Sequence, residues 1–156
     1  MTLQVQDQAP GFQLPASDGS TFDLEKGLSG SQGLLLAFFP FAWSPVCTNE
    51  VGYLNTNLGE FKKKQVKVAA ISADSPFTQK AWAKAEGLKF PLLADFNREV
   101  IAQFGVVQEE FHGLRGFAKR SVFLLDPERT VRYAWVSDDP GVEPNYAEVL
   151  GSVEAL

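Results

Sequence analysis

The sequence predicts an α/β fold in which a central mixed β-sheet carries helices on both faces. Three observations point there. Residues 33–39 form a continuous apolar run, as in a strand buried on both sides. Residues 66–72, Val-Lys-Val-Ala-Ala-Ile-Ser, make a second β-branched run. Between them, Cys47, Val51, Leu54, Leu58 and Phe61 recur every three or four residues, the stripe of an amphipathic helix over residues 45–64. Strand, helix and strand in that order form a βαβ unit, so the two strands should run parallel with a right-handed crossover.

The other elements follow along the chain. Residues 12–14 and 21–24 flank the turn signal Ser17-Asp18-Gly19-Ser20, so the N-terminal part should be a small β-hairpin. After the second strand, Ser75 reads as an N-cap and Pro76 as the first residue of a helix through Trp82 that stops at Gly87. Residues 90–94 read as a short extended piece. Asn97 is expected to cap a helix through Val100, Ile101 and Phe104, closed by Gly105. Residues 106–119 show no clear period, and such loops often carry function. Residues 120–126 and 130–135 flank Pro127-Glu128-Arg129 as an antiparallel hairpin. Tyr146, Val149, Leu150 and Val153 share one face of a last helix, residues 144–156. This order suits a thioredoxin-like fold with an N-terminal β-hairpin extension and an insertion before the final hairpin. No repeat or linker interrupts it, and 156 residues suffice for one domain, 1–156, with a single core.

Composition narrows the function. Apolar residues make up 45% and charged residues 21%, as in ordinary globular proteins. A net charge of −5 argues against nucleic acid, whose binders present basic surfaces. The one basic run, Lys62-Lys63-Lys64, reads as a solvated helix C-terminus. Residues 1–12 lack the basic start and apolar stretch of a signal peptide. The longest apolar run, 33–43, is too short to cross a bilayer and contains Pro40, so no membrane partner is expected. A single cysteine excludes an intramolecular disulfide and points to a reducing compartment, the cytoplasm.

That cysteine lies in Pro40-Phe41-Ala42-Trp43-Ser44-Pro45-Val46-Cys47-Thr48-Asn49-Glu50. It falls in the first turn of a helix, outside the carboxyl end of a strand, where open α/β sheets place their ligands. Unpaired backbone N–H groups and the positive end of the helix dipole favour thiolate over thiol, and the thiolate is the nucleophile. Free cysteine is usually buried and inert. A cysteine kept only for volume, however, has no reason to sit on a strand-to-helix corner two residues after a proline. A reactive thiol in an electropositive, partly exposed setting is the expectation. Ser44 has two readings that compete for one oxygen. It is either an N-cap before Pro45, or a hydroxyl that bonds both thiolate and substrate. Pro40 ends the strand, and its ring could cover the sulfur without offering a competing N–H. Phe41 and Trp43 are more apolar than a loop requires, and they either line a pocket or face a partner. Glu50, three residues beyond Cys47, shares its helical face.

Pro40, Ser44 and Cys47 form Pro-x-x-x-Ser-x-x-Cys, which resembles the active-site motif of peroxiredoxins, Pro-x-x-x-Thr/Ser-x-x-Cys. Phe38-Phe39 before the motif and Glu50 after it resemble the same family. So do Ile71-Ser72-Ala73-Asp74, Trp82-Ala83, Phe90-Pro91-Leu92-Leu93-Ala94-Asp95 and Phe104-Gly105-Val106. Arg120-Ser121-Val122-Phe123-Leu124-Leu125-Asp126 is similar to the strand that bears the family's active-site arginine. The resemblance covers nearly the whole chain in order. Within the family, the single cysteine and the Cys-x-x-Glu pattern resemble the one-cysteine, alkyl hydroperoxide reductase E type.

The resemblance implies that Cys47 attacks the terminal oxygen of a hydroperoxide, giving a sulfenic acid and an alcohol or water. It gives Arg120 the role of the guanidinium beside the sulfur, a permanent charge on a planar fork. Without the resemblance Arg120 would read as a strand-edge arginine in a surface ion pair. Ser44 keeps the hydroxyl of the more frequent threonine, and the N–H groups of Val46 and Cys47 would act as an oxyanion hole. Glu50 would hold Arg120 in place. No metal, flavin, haem or other cofactor is called for. With no second cysteine, the sulfenic acid must meet an external thiol, either a small molecule or a thioredoxin- or glutaredoxin-type protein. A homodimer joined near Phe41 and Trp43 is expected. His112, the only histidine, should be exposed and non-catalytic, while Arg115 and Lys119 lie in a segment that follows no family pattern. Two rival readings are a peroxide-sensing thiol switch and a non-catalytic module with Cys47 in its core. Steady-state turnover with an added thiol separates the first from a peroxidase, and rapid alkylation at neutral pH excludes the second. A disulfide oxidoreductase would need Cys-x-x-Cys, and this chain offers Ser44-Pro45-Val46-Cys47.

Overall fold

The computed structural model describes residues 1–156. Strands β1 (Gln13–Pro15) and β2 (Thr21–Asp23) form the expected antiparallel hairpin, with Leu14 opposite Phe22. A short helix that no periodicity announced, α1 (Leu24–Leu28), follows, capped by Asp23, whose carboxylate accepts from the Lys26 N–H. Strand β3 (Gly33–Phe38) is buried at every position. The expected single helix over 45–64 is two, α2 (Pro45–Thr56) and α3 (Leu58–Lys63). Asn57 breaks it. Its side-chain amide donates to the Tyr53 carbonyl at 2.9 Å, the local bonding by which asparagine competes with a helix.

Strand β4 (Val66–Ser72) and helix α4 (Pro76–Glu86) match the sequence reading, with Ser75 accepting from the Thr78 N–H and Gly87 closing the helix at φ 62°. Strand β5 (Leu92–Ala94) is shorter than the extended piece expected. Helix α5 (Glu99–Gln103) is not capped by Asn97. Arg98 takes the cap position with φ 63°, and the buried Asp95 carboxylate accepts from the Ile101 N–H at 2.7 Å. Residues 106–119 are not wholly irregular, because β6 (Val107–Gln108) and β7 (Phe117–Ala118) pair antiparallel. Strands β8 (Ser121–Leu125) and β9 (Val131–Val136) form the predicted hairpin. Helix α6 (Tyr146–Glu154) starts later than expected, with Asn145 as its cap.

The main sheet has five strands in the order β5-β4-β3-β8-β9. β3, β4 and β5 run parallel, and β8 and β9 make the sheet mixed. Alternation along β3 divides the core. Leu34, Leu36 and Phe38 face one layer, with Leu24 and Leu28 of α1 and Val100 and Ile101 of α5. Leu35, Ala37 and Phe39 face the other, with Val51, Leu54, Phe61, Trp82 and Val149 from α2, α3, α4 and α6. Each leucine or phenylalanine so buried contributes about 1.5–3 kcal/mol, which is why the most apolar strand takes the centre. Cys47 belongs to the second layer.

Candidate active site

The thiol loop is built where β3 runs out. The Phe39 N–H still donates to the Ile71 carbonyl at 2.9 Å, and then Pro40, buried and without an N–H, ends the ladder. Phe41 turns back and packs on Phe117, ring centroids 4.6 Å apart. Trp43 follows with φ 75°. A bulky residue in the left-handed region costs about 1–3 kcal/mol and persists only where its surroundings hold it. Its side chain is 54% exposed.

Ser44 then opens α2. Its Oγ accepts from the Cys47 N–H at 3.2 Å, so the capping reading holds. That bond uses a lone pair of the oxygen and leaves the hydroxyl hydrogen free, so the two readings of Ser44 are compatible rather than rival. It also commits the Cys47 N–H, leaving the Val46 N–H of the expected backbone pair.

Cys47 is fully buried, at 0% exposure, against the partly exposed setting expected. The reason is its phase on the helix: it lies in the same stripe as Val51 and Leu54, which seals α2 against the sheet. Surface clefts lined by Phe12, Asp95 and Phe96, or by Glu109 and Lys119, do not include it. In this conformation no solvent touches the residue.

The partner is Arg120, itself 1% exposed. Ser121 pairs with Phe38 across the sheet, which brings Arg120 to the end of β3 where the thiol loop departs. Arg120 Nη2 donates to Cys47 Sγ at 3.2 Å, and Nη1 donates to Glu50 Oε1 at 2.8 Å. The Pro140 carbonyl accepts from Nε at 3.1 Å and from Nη2 at 2.7 Å. Arg120 is therefore not the surface strand-edge arginine of the alternative reading. The site brings together Cys47, Ser44, Arg120 and Glu50, with Pro40 at the strand end. Pro140 was missed, and a carbonyl that every residue owns leaves no mark in a sequence. Beyond it, Tyr146 donates to Glu143 at 2.5 Å and stacks on Tyr53, ring centroids 3.9 Å apart. Burial first, then that bond to Glu143, pushes its phenol up. Lys119 pairs with Asp138 at 2.7 Å, while His112 and Arg115 lie exposed on the neighbouring loop.

Burial pushes the Glu50 carboxyl up to about 7, against the attraction of Arg120, and Glu50 Oε2 has no partner. Burial opposes the charge on Arg120 as well, but Glu50 and Cys47 beside it outweigh that and push its value up. Between the ordinary 4.5 and about 7, folded Glu50 holds a proton that the unfolded chain has released. Its contribution is fully present below 4.5 and is lost as pH rises through about 7. In Glu50→Gln this component should vanish. The stability difference between wild type and variant should therefore change by on the order of 3 kcal/mol across that window, read by urea unfolding. A difference independent of pH would refute the shift.

Known proteins resemble this chain in sequence and in fold. The model of the AhpC/TSA family matches residues 5–134. Peroxiredoxin TSA1 of Saccharomyces cerevisiae is 35% identical over 165 residues, covering 100% of this chain and 81% of its own. Alkyl hydroperoxide reductase E of Mycobacterium bovis is 35% identical over 134 residues, covering 85% of this chain and 84% of its own. The crystal structure of peroxidoxin BcpB from Mycobacterium tuberculosis superposes with a TM-score of 0.87 at 27% identity, covering 99% of this chain and 98% of that one.

Proposed function

The chain belongs to the AhpC/TSA family of peroxiredoxins, and on that premise we propose how its residues carry the reaction. The enzyme is a thiol-dependent peroxidase. Cys47, as thiolate beside the Arg120 guanidinium, attacks the terminal oxygen of a hydroperoxide. The S–O bond forms as the O–O bond breaks. The departing oxygen takes a proton and leaves as an alcohol, or as water from hydrogen peroxide. Sulfur is oxidised to sulfenic acid and the peroxide is reduced. The free hydrogen of Ser44 and the Val46 N–H are assigned to the peroxide oxygens, where charge develops. Pro40 walls the sulfur at the strand end, and Glu50 aims the guanidinium. The observation that carries this reading is the 3.2 Å contact between Arg120 Nη2 and Cys47 Sγ inside the second, buried layer of the core.

The chain has one cysteine, so its sulfenic acid is reduced by an external thiol, small or thioredoxin-like. Residues 1–156 act as one domain. Stopped-flow oxidation, followed through the indole of Trp43 four residues from Cys47, tests the first half-reaction with hydrogen and alkyl peroxides. Added thiols then test the second. No optical change and no sulfenic acid would overturn the assignment.

Two further readings belong to the same proposal. The enzyme pairs as a homodimer through the edge near Phe41 and Trp43, the latter 54% exposed. Sedimentation as a monomer at every concentration tried would remove that pairing. Its compartment is the cytoplasm, where a lone thiol stays reduced, and cell fractionation checks this. No helix is long and apolar enough to cross a membrane. The net charge of −5 speaks against nucleic acid as a partner.

A further inference from the structure

We propose that Asp74 is a positioning residue for the reaction: its carboxylate latches the thiol loop in the conformation that presents Ser44 and Cys47, an inference that rests on the peroxidase reading above. Asp74 Oδ2 accepts from the Ala42 N–H at 2.8 Å, across 32 positions of sequence. This is the only side-chain bond to the backbone of residues 40–43, and it falls immediately before the left-handed Trp43. The Ser44 cap secures the other side of that residue. A strained residue needs its neighbours fixed, and these two bonds fix them.

Asp74 has no competing duty on its own helix. Ser75 is the N-cap of α4, its Oγ accepting from the Thr78 N–H at 3.2 Å. The carboxylate is instead aimed from behind. Ser72 Oγ donates to Asp74 Oδ2 at 2.7 Å and accepts from Gln79 Nε2 at 2.9 Å. Gln79 is fully buried and gives its other amide hydrogen to the Leu93 carbonyl at 2.8 Å. Both donors of that amide are thus committed, which settles its orientation and leaves Gln79 Oε1 with no partner. A glutamine kept for packing alone would not strand a buried acceptor in this way. The relay runs from Leu93 of β5 through Gln79 of α4 and Ser72 of β4 to Asp74, and so to the loop. The Asp74 N–H also donates back to Ser72 Oγ at 3.3 Å, which ties the two residues twice. The rigid sheet thereby sets where the loop lies over a sulfur that no solvent touches.

The test compares Asp74→Ala, Asp74→Asn and Ser72→Ala with wild type by stopped-flow oxidation of Cys47 with hydrogen peroxide. Misplacing a reacting group by about an ångström costs up to ~10²-fold, so Asp74→Ala should lose ~10- to 100-fold in the second-order rate constant. Asparagine keeps an oxygen that can accept from both Ala42 and Ser72, so Asp74→Asn should recover to within ~3-fold of wild type, a rescue that a lost charge would not show. If Asp74→Ala fails to fold, Ser72→Ala, which removes only the hydroxyl that steers the carboxylate, should still lose ~3-fold or more. The ratio of alkylation by a bulky maleimide to oxidation by peroxide should rise in Asp74→Ala, because the loop is freed while the thiol remains. A wild-type rate in Asp74→Ala, or an Asp74→Asn variant as slow as Asp74→Ala, overturns the latch. A wild-type chain that consumes no peroxide overturns the peroxidase reading instead.

Discussion

Replacing Cys47 with serine should reduce peroxide consumption to the level of a protein-free blank, a loss of at least about 10⁴-fold, while the chain stays folded. A serine hydroxyl does not ionise at neutral pH and is a poor attacker of an O–O bond. The fold should tolerate it. The new oxygen takes the place of a sulfur that already accepts a hydrogen bond from Arg120 at 3.2 Å, so the buried hydroxyl is not left without a partner. Peroxide assay and circular dichroism read the two halves of this result. A folded Cys47→Ser protein that still turns over peroxide would move the chemistry elsewhere in the chain, where no other cysteine exists.

Arg120→Met is expected to slow oxidation by about 10²–10³-fold, the loss typical of removing one donor aimed at developing charge. This variant also strands Glu50, buried at 1% exposure, without its partner. Breaking such a pair costs about 3–5 kcal/mol, so the single variant should also melt at a markedly lower temperature. The double variant Arg120→Met, Glu50→Gln separates the two effects. Its stability should recover, because no lone carboxylate remains buried, and its rate should not. Recovery of the rate with the stability would mean that Arg120 serves only the fold.

Much of this was legible in the order of residues. A strand whose every side chain is apolar can only be central, and β3 is. Ser75-Pro76 and Gly87 marked both ends of α4 because caps are written in single residues with fixed geometry. The position of Cys47 on a strand-to-helix corner was likewise readable. Three things were not. The break at Asn57 is a local competition that leaves the apolar stripe through Leu54, Leu58 and Phe61 undisturbed, so periodicity alone runs straight across it. The short elements α1, β6 and β7 offer too few residues for any period to show. The sealing of the sulfur was also hidden. Its seat beside Arg120 and Pro140 depends on contacts with residues 73 and more positions away, and only the folded sheet brings them there.

The guanidinium of Arg120 has one more thing to say. An arginine head carries five N–H bonds set in a plane. Four are accounted for: one on Glu50, two on Pro140 and one on the sulfur. A single hydrogen, on Nη1, is held in reserve. Of the five, that hydrogen alone can take a further acceptor without any existing grip being released. A lysine, with three hydrogens radiating from a point, could not keep all those holds and still offer a free hand.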